Sequence, residues 1–444
     1  ERAKKLFLTF SYLTLVLVVA AFASIVASTF QATYVDGVVD VAASGTNASV
    51  AMISLLFIIM AILFGFFVYR RGASLSVATI VGVIGIVICL AIGLKWHPIY
   101  LSNTAWMWII GVYILIASVA PVWILLQPRD YLSSFLLYAM MAIAAVGVIG
   151  AGLTGADAAH MDMPAFTGFY DSLAPTGTSL GYVFPALFVT IACGALSGFH
   201  GAVSSGLTPK AVEKENQIRM IGYGSMLVES FTAVIALIAA ITISQGVYFS
   251  TNMSAAQITA ASGVSISATS TPGEQADAAV KAVESMKVSD IEGNQMQVTW
   301  DSVDENGAAK TYEGAAALEQ AAADIGETSI VSRTGGATTF AMGMANFLKS
   351  YLGGHDSMAF WYHFAIMFEA LFILTTVDNG TRVARYQIGE MLGNVRKLKK
   401  FADPTWKPGN IITTLIATAL WGGLLWMGVS DANGGINAMV PIFG

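Results

Sequence analysis

Residues 190–210 combine four glycines and three serines with one histidine, and they interrupt an apolar stretch that begins at Tyr182. Glycine weakens a helix by about 1 kcal/mol per site. Where a helix breaks, backbone N–H and C=O groups lose their hydrogen-bond partners. In an apolar medium these groups must line a cavity or be buried in protein, where they can bind a substrate or an ion. The pattern therefore predicts a broken helix that shapes a substrate site. The residues assigned to this site are Ser197, Gly198, His200, Gly201, Ser204 and Ser205. The alternatives are a helix that simply ends at Ser197, or glycines that serve close helix packing.

Two carboxylates lie inside long apolar stretches, Glu229 within 221–244 and Glu369 within 358–377. A charged side chain at the centre of a membrane costs roughly 2.5–3.5 kcal/mol on insertion scales, so such residues face a bundle interior and are candidates for function. We expect both to take and release a proton. His363 is a third candidate for this coupling, because histidine titrates near neutrality. A carboxylate paired with an arginine, and a histidine that only packs, are the alternatives.

The run 375–382 closes an apolar stretch with five polar side chains, a glycine and Arg382. Its oxygen atoms could coordinate a cation, and the Arg382 guanidinium could bind a substrate carboxylate through paired hydrogen bonds. Arg382 therefore joins the candidates for substrate binding. The alternative is an arginine that only caps a helix end.

The stretches of sequence that contain these candidate residues are mostly apolar. The chain has 444 residues, of which 56% are hydrophobic and 11% charged, whereas soluble domains contain about 45–50% apolar and about a quarter charged residues. A membrane crossing needs about 20 mostly apolar residues. Nine stretches qualify, at 6–28, 49–69, 76–94, 106–126, 132–153, 182–199, 221–244, 358–377 and 410–429. The composition predicts an all-α polytopic membrane protein with about nine spans.

The loops between these stretches differ in charge. Sixteen of the 22 basic residues fall on one side of the membrane if the stretches alternate in direction, and most acidic residues fall on the other. Basic residues mark the cytoplasmic face. We therefore expect the first residue to lie in the cytoplasm and the last to lie outside. The net charge of −6 gives no reason to expect a nucleic-acid partner.

A polar segment, 245–334, separates a first part of the bundle, 1–244, from a second part, 335–444. Between residues 245 and 333 it holds twelve acidic and four basic residues, so we expect it to lie outside the membrane. Its pattern predicts helices at 274–286 and 313–325 and a strand at 295–300. A small folded cap and a mobile acidic loop are both consistent with this composition.

Residues 335–348 are apolar but too short to cross a membrane. They predict a re-entrant half-helix, and the alternative is a helix lying on the outer surface.

The sequence shows no motif that indicates catalysis or the binding of a cofactor or metal. No phosphate-binding loop, nucleophile elbow or zinc-protease helix is present in the sequence, so we expect neither an enzyme nor a cofactor or metal site. The two cysteines, Cys89 and Cys193, lie far apart in apolar stretches and indicate no disulfide framework.

Three ordered motifs resemble the carbon starvation protein A family. Residues 191–200 read Ile-Ala-Cys-Gly-Ala-Leu-Ser-Gly-Phe-His, and 221–229 read Ile-Gly-Tyr-Gly-Ser-Met-Leu-Val-Glu. Residues 361–376 read Trp-Tyr-His-Phe-Ala-Ile-Met-Phe-Glu-Ala-Leu-Phe-Ile-Leu-Thr-Thr and run on to Gly380-Thr381-Arg382. The resemblance covers the central and distal half of the chain.

The resemblance implies a bacterial or archaeal inner-membrane transporter that is induced under nutrient limitation. It implies uptake of peptides, or of pyruvate by proton symport, and an amino acid-polyamine-cation type of bundle with broken helices around a midplane site. Members of the family carry further spans before and after the region matched by this chain, so we expect the chain to be an internal part of a longer protein.

Together, these observations predict a secondary transporter that imports a small carboxylate or short peptides with a proton. Sodium coupling, an ion channel and a membrane nutrient sensor that uses 245–334 as its receptor segment are the alternatives.

Overall fold

The computed structural model describes residues 2–35, 37–155, 160–161, 163–166, 168–170, 182–184, 212–266, 270–286, 293–304, 306–334, 336–349 and 351–430. Most of these residues are helical. The helices of the first half are α1 (Arg2–Phe30), α2 (Val41–Gly65), α3 (Leu75–Lys95), α4 (Asn103–Val119), α5 (Leu126–Thr154) and α6 (Ser225–Ile241). A short antiparallel pair, β1 (Tyr34–Val35) and β2 (Val38–Val39), joins α1 to α2.

The second half adds shorter elements before the chain returns to long helices. These shorter elements are α7 (Gln245–Asn252), α8 (Ala255–Ser262), α9 (Pro272–Ser285), β3 (Thr299–Val303), β4 (Ala309–Glu313), α10 (Ala315–Asp324) and α11 (Ala337–Lys349). The two long helices that follow are α12 (Met358–Gly393) and α13 (Lys407–Ser430).

Within the described residues, seven helices are long and apolar enough to cross a membrane. They correspond to seven of the nine predicted spans, and the chain is a helical multi-pass membrane protein. The predicted span 182–199 lies mostly outside the described residues. The predicted span 106–126 overlaps α4, which has only 17 residues, whereas α6 is the end of a longer helical segment, Glu215–Ile241.

Pro121 accounts for the early end of α4. The residue before a proline is pushed out of helical conformation by the proline ring, and Ala120 has ψ 145°. The chain turns here and α5 begins at Leu126, six residues before the predicted start of its span at Leu132. The proline thus ends α4 seven residues before the predicted end of its span at residue 126.

The third helix shows how the sequence separates a packed face from a lipid-facing one. Its buried residues recur every three or four positions: Gly82, Ile86, Cys89 and Gly93. A Cβ atom on Gly93 would lie 2.2 Å from the Ile53 Cγ1 atom, so glycine lets α3 approach α2 closely. On the other face Val77 and Ile80 remain more than 60% exposed, as expected for side chains that contact lipid.

The centre of the bundle is α12, which packs against α1, α11 and α13. Helix α11 is buried along nearly its whole length, from Thr338 to Leu348. This burial argues against a helix lying on the surface, because such a helix would leave one face open. The re-entrant assignment of this segment stays a prediction.

Residues 245–334 contain a packed core of their own. Helix α9 begins where Pro272 occupies its first turn and Thr271 and Glu274 form a capping box. The antiparallel hairpin pairs Trp300 with Tyr312. Small side chains bring α9 and α10 together, and the buried ones are Ala276, Ala279, Ala282, Ala317 and Ala321. Helices lie at both predicted positions; the strand begins at Thr299 rather than 295, and its partner β4 was not predicted.

A polar cluster ties this segment to the start of α12. The Asp324 carboxylate accepts hydrogen bonds from the Trp300 indole N–H at 2.8 Å and from the Gln320 amide at 2.8 Å. It also lies 3.1 Å from His355 Nε2, one turn before α12 begins. The position of the segment relative to the helices is therefore fixed by paired polar groups. The boundaries of the three-part division, and the side of the membrane on which this segment lies, stay predictions.

Candidate functional site

A cavity of about 670 Å³ lies where α1, α2, α8 and α12 meet the chain between α10 and α11. Its wall is rich in groups that can form hydrogen bonds. Those contributed by α1, α2 and α11 include Ser24, Ser28, Thr29, Asn47 and Thr338. Its volume is within the range of about 300–1,000 Å³ that small-molecule sites occupy.

An ion pair forms part of this wall. The Arg333 Nη2 atom donates to the Glu327 Oε2 atom at 3.1 Å. The Glu327 side chain is 3% exposed, whereas the Arg333 side chain is 29% exposed and so presents more of its surface. Tyr362 of α12 hydrogen-bonds to Glu327 and accepts a bond from Thr338 of α11. The pair is thus held between two helices.

Burial controls the electrostatics of this pair. Removing the Glu327 carboxylate from water raises its pKa above the usual value near 4.5, and the neighbouring Arg333 charge and the Tyr362 hydrogen bond lower it in part. The Glu327 charge in turn raises the pKa of Arg333. Arg333 therefore stays charged, while the charge of Glu327 depends on whether Arg333 remains beside it.

The backbone behind Glu327 is anchored by α2 and α12. The Thr46 hydroxyl donates to the Gly326 carbonyl oxygen at 3.2 Å and lies 2.7 Å from the His363 Nε2 atom. His363 also bonds to the Ile325 backbone, and the direction of the Thr46–His363 bond depends on the tautomer of the ring. His363 is a hydrogen-bonded residue next to the cavity wall.

The backbone is strained next to Arg333. Ser332 has φ 57°, and it is the one non-glycine residue with positive φ in the part of the chain that the structure describes. Such a conformation is uncommon for a residue with a Cβ atom and is concentrated at functional sites. Its N–H bonds to the Ser250 carbonyl oxygen of α7 at 3.0 Å, which holds the strained turn in place.

A second charged cluster lies near the other end of α12. The Arg129 Nη2 atom lies 2.5 Å from the Asp378 Oδ2 atom, and neither side chain is more than 3% exposed. The Tyr113 hydroxyl donates to the same Asp378 oxygen at 3.1 Å and accepts a hydrogen bond from Arg129. Sixteen residues separate Tyr362 from Asp378 along α12, which corresponds to roughly 24 Å at 1.5 Å per residue.

Arg382 caps a helix in the structure. Its Nη2 atom donates to the carbonyl oxygens of Ala117 and Ala120 at 2.7 and 3.0 Å, and Arg385 donates to the Ser118 carbonyl at 2.7 Å. These carbonyls lie at the C-terminal end of α4, where they lack helical partners and where positive charge is favourable. This contact corresponds to the capping alternative, although the helix capped belongs to a different part of the chain.

The other predicted residues do not meet at one place among the described residues. Glu229 lies on an exposed face of α6, and Glu369 is half-buried in the middle of α12. The predicted substrate residues Ser197, Gly198, His200, Gly201, Ser204 and Ser205 lie outside the described residues. Their roles stay predictions.

The residues of the cavity wall were missed in the sequence. Glu327 and Arg333 belong to a polar segment in which single charges are ordinary, and their burial depends on packing against α12. The only sequence signal was a pair of opposite charges six residues apart, directly before the glycines that precede α11.

The fold and its buried ion pairs define a class, the polytopic helical membrane proteins with charged groups inside the bundle. Within that class the chain belongs to the carbon starvation protein CstA family, whose model matches residues 1–315 and 288–444. This confirms the resemblance seen in the three motifs.

Curated relatives are named as transporters. The chain is 41% identical over 387 residues to the peptide transporter CstA of Mycobacterium tuberculosis strain H37Rv, which covers 85% of this chain and 45% of the relative. It is 41% identical over 350 residues to the peptide transporter CstA of Escherichia coli K12, covering 79% and 44%. It is 38% identical over 351 residues to the pyruvate/proton symporter BtsT of Escherichia coli K12, covering 79% and 45%.

The chain spans about half the length of the curated relatives it matches. No solved structure matches it. The amino acid-polyamine-cation arrangement that the resemblance implies therefore stays a prediction.

Proposed function

We propose that the protein is a secondary transporter that imports a small carboxylate such as pyruvate, or short peptides, together with a proton. The observation that carries the proposal is a cavity of about 670 Å³ with a buried ion pair in its wall, in a chain that belongs to a family with transporters among its curated relatives. A catalytic activity has no part in this proposal. Its setting is the inner membrane of a bacterium or archaeon, with residues 245–334 on the outer side.

The assignment of the six residues between Ser197 and Ser205 to the substrate path is part of the same proposal. So is the assignment of Glu229, Glu369 and His363 to proton movement between the two sides of the membrane. The position of Glu369 on α12, seven residues after Tyr362 of the cavity wall and nine before Asp378 of the charged pair, supports this assignment. The Arg382 guanidinium already bonds to the end of α4. We therefore propose that Arg382 affects substrate binding only indirectly, by holding that helix end in place.

Uptake into liposomes tests the proposal. With the natural full-length protein reconstituted, we expect accumulation of radiolabelled pyruvate or of a dipeptide when the lumen is made alkaline relative to the medium. A protonophore should abolish the accumulation, since no gradient then remains to drive it. Competition between unlabelled pyruvate and dialanine separates the two substrates. Accumulation that needs sodium and is indifferent to the protonophore would reject the proton, and a steady conductance would indicate a channel.

A further inference from the structure

The cavity contains a balanced pair of charges. Among the described residues that line it, the ionisable side chains are Glu327, Arg333 and Tyr362. The charges of Glu327 and Arg333 cancel while they are paired. An anion entering alone would therefore leave one negative charge uncompensated beside the buried Glu327 carboxylate, which is costly.

We propose that the cavity binds the carboxylate of the transported molecule, that this carboxylate replaces Glu327 on Arg333, and that Glu327 takes up the proton that accompanies it. The inference rests on the proposed function and names the anchor of its substrate. In this exchange Arg333 binds the substrate carboxylate and Glu327 accepts the proton.

Access favours this order of contacts. Because Arg333 is 29% exposed and Glu327 only 3%, a carboxylate arriving in the cavity meets the guanidinium before it meets the acid. A guanidinium carries five N–H groups arranged to bind a carboxylate in a fork. One hydrogen bond, from Nη2, joins Arg333 to Glu327, so the exchange breaks a single contact.

The proton balance of the exchange closes. Before binding, the site holds Arg333 positive and Glu327 negative. After binding, it holds Arg333 positive, the substrate carboxylate negative and Glu327 neutral. The proton comes from water on the open side of the membrane, and it leaves with the substrate on the other side. For a monoanion such as pyruvate, the net charge of the site is zero in both states.

The surroundings leave Glu327 as the group that titrates. From α12, Tyr362 bonds to Glu327 and His363 lies behind Gly326. The described lining residues of α1, α2, α8 and α11 are hydroxyl, amide or apolar residues without charge. With Arg333 turned to the substrate, its charge no longer lowers the pKa of Glu327 while burial still raises it, so the acid gains a proton.

The sign of the pH dependence follows from this change. The substrate-bound site holds more protons than the empty site, so substrate affinity must fall as pH rises. For one proton the fall is at most about tenfold per pH unit. It occurs above the pKa of Glu327 in the empty site and below its pKa in the occupied site.

Calorimetry of the natural full-length protein in detergent tests the exchange. We expect titration with pyruvate to take up one proton per molecule bound, which appears as a heat that differs between buffers of different ionisation enthalpy. Dialanine amide, which lacks the carboxylate, should bind at least about tenfold more weakly because the charged hydrogen bonds to Arg333 are missing. No proton uptake by the wild-type protein would overturn the inference, whether or not any variant folds.

Three variants sharpen the test. Glu327→Gln keeps a polar side chain that cannot ionise, so we expect carboxylate binding without proton uptake and with an affinity that no longer changes with pH. Arg333→Gln should weaken carboxylate binding at least about tenfold. Glu284→Gln, an exposed position on α9, is the matched control and should behave as the wild type.

Transport measurements distinguish failure of the proposed function from failure of the exchange at Glu327. Wild-type liposomes that accumulate neither pyruvate nor dialanine would reject the proposed function itself. Proton-coupled accumulation that survives unchanged in Glu327→Gln would leave the proposed function intact and reject the exchange at Glu327.

Discussion

Replacing Asp378 by asparagine is expected to destabilise the protein by about 3–5 kcal/mol, because the substitution removes the carboxylate that contacts the buried Arg129 guanidinium. Arg129 is fully buried, and its guanidinium contacts one Asp378 oxygen and the Tyr113 hydroxyl, while the Asp130 carboxylate adds a smaller attraction. An asparagine can accept a hydrogen bond but cannot compensate a positive charge. Thermal unfolding of the purified protein in detergent, followed by near-ultraviolet circular dichroism, measures the loss.

Two further variants identify the cause. Asp356→Asn makes the same change on an exposed side chain just before α12 and should leave unfolding unaltered. The double variant Arg129→Met/Asp378→Leu removes both charges, and it should recover most of the lost stability, since apolar replacement of a buried pair is often neutral. An Asp378→Asn protein as stable as the wild type would mean that Arg129 finds water or another acid in solution.

Gly343→Ala is the second substitution for which we expect a large effect. A Cβ atom at this position of α11 would lie 2.3 Å from the Ala239 carbonyl oxygen and 2.7 Å from the Ala239 Cβ atom of α6. Backbone atoms of a packed helix cannot rotate away as a side chain can, so the two helices must separate. Overpacking of this kind costs typically about 1–3 kcal/mol, and more where the backbone cannot shift.

The matched control for this effect is Gly152→Ala on α5, where an added Cβ atom meets nothing within 4 Å. Alanine forms helix better than glycine by up to about 1 kcal/mol, so this variant should unfold at the same temperature as the wild type or higher. Since Thr338 at the start of α11 lines the cavity, Gly343→Ala should also weaken substrate binding. Equal stability of the two alanine variants would show that α6 and α11 are not in close contact.

The helices were predictable because hydrophobicity is a local property of the sequence. Each long apolar stretch that the structure describes contains a helix. The short α4 has a local cause in Pro121, whereas α12 continues sixteen residues past the end of its predicted span at residue 377. For Arg382, the sequence predicted the type of contact but not the partner. Its charge near a helix end favours capping. The helix that it caps is α4, whose C-terminal cap residue, Ala120, lies 262 residues earlier in the chain.

The cavity and the buried pairs could not be read from the sequence. Arg129 and Asp378 are 249 residues apart, and each alone resembles an ordinary charge near the end of a span. The left-handed backbone of Ser332 has no composition signal either, because serine occurs in most loops. Such features arise only when α12 packs against its neighbours, which no local pattern specifies.

The length of α12 has a mechanical consequence. Its 36 residues extend about 54 Å, well beyond a hydrocarbon layer of about 30 Å, and it is a single α-helix over that whole length. If such a rod pivots by about 10° near one end, simple geometry moves the other end by roughly 9 Å. The cavity wall at Tyr362 and the charged cluster at Asp378 therefore belong to one lever. We therefore expect a movement at one end of α12 to be carried to its other end.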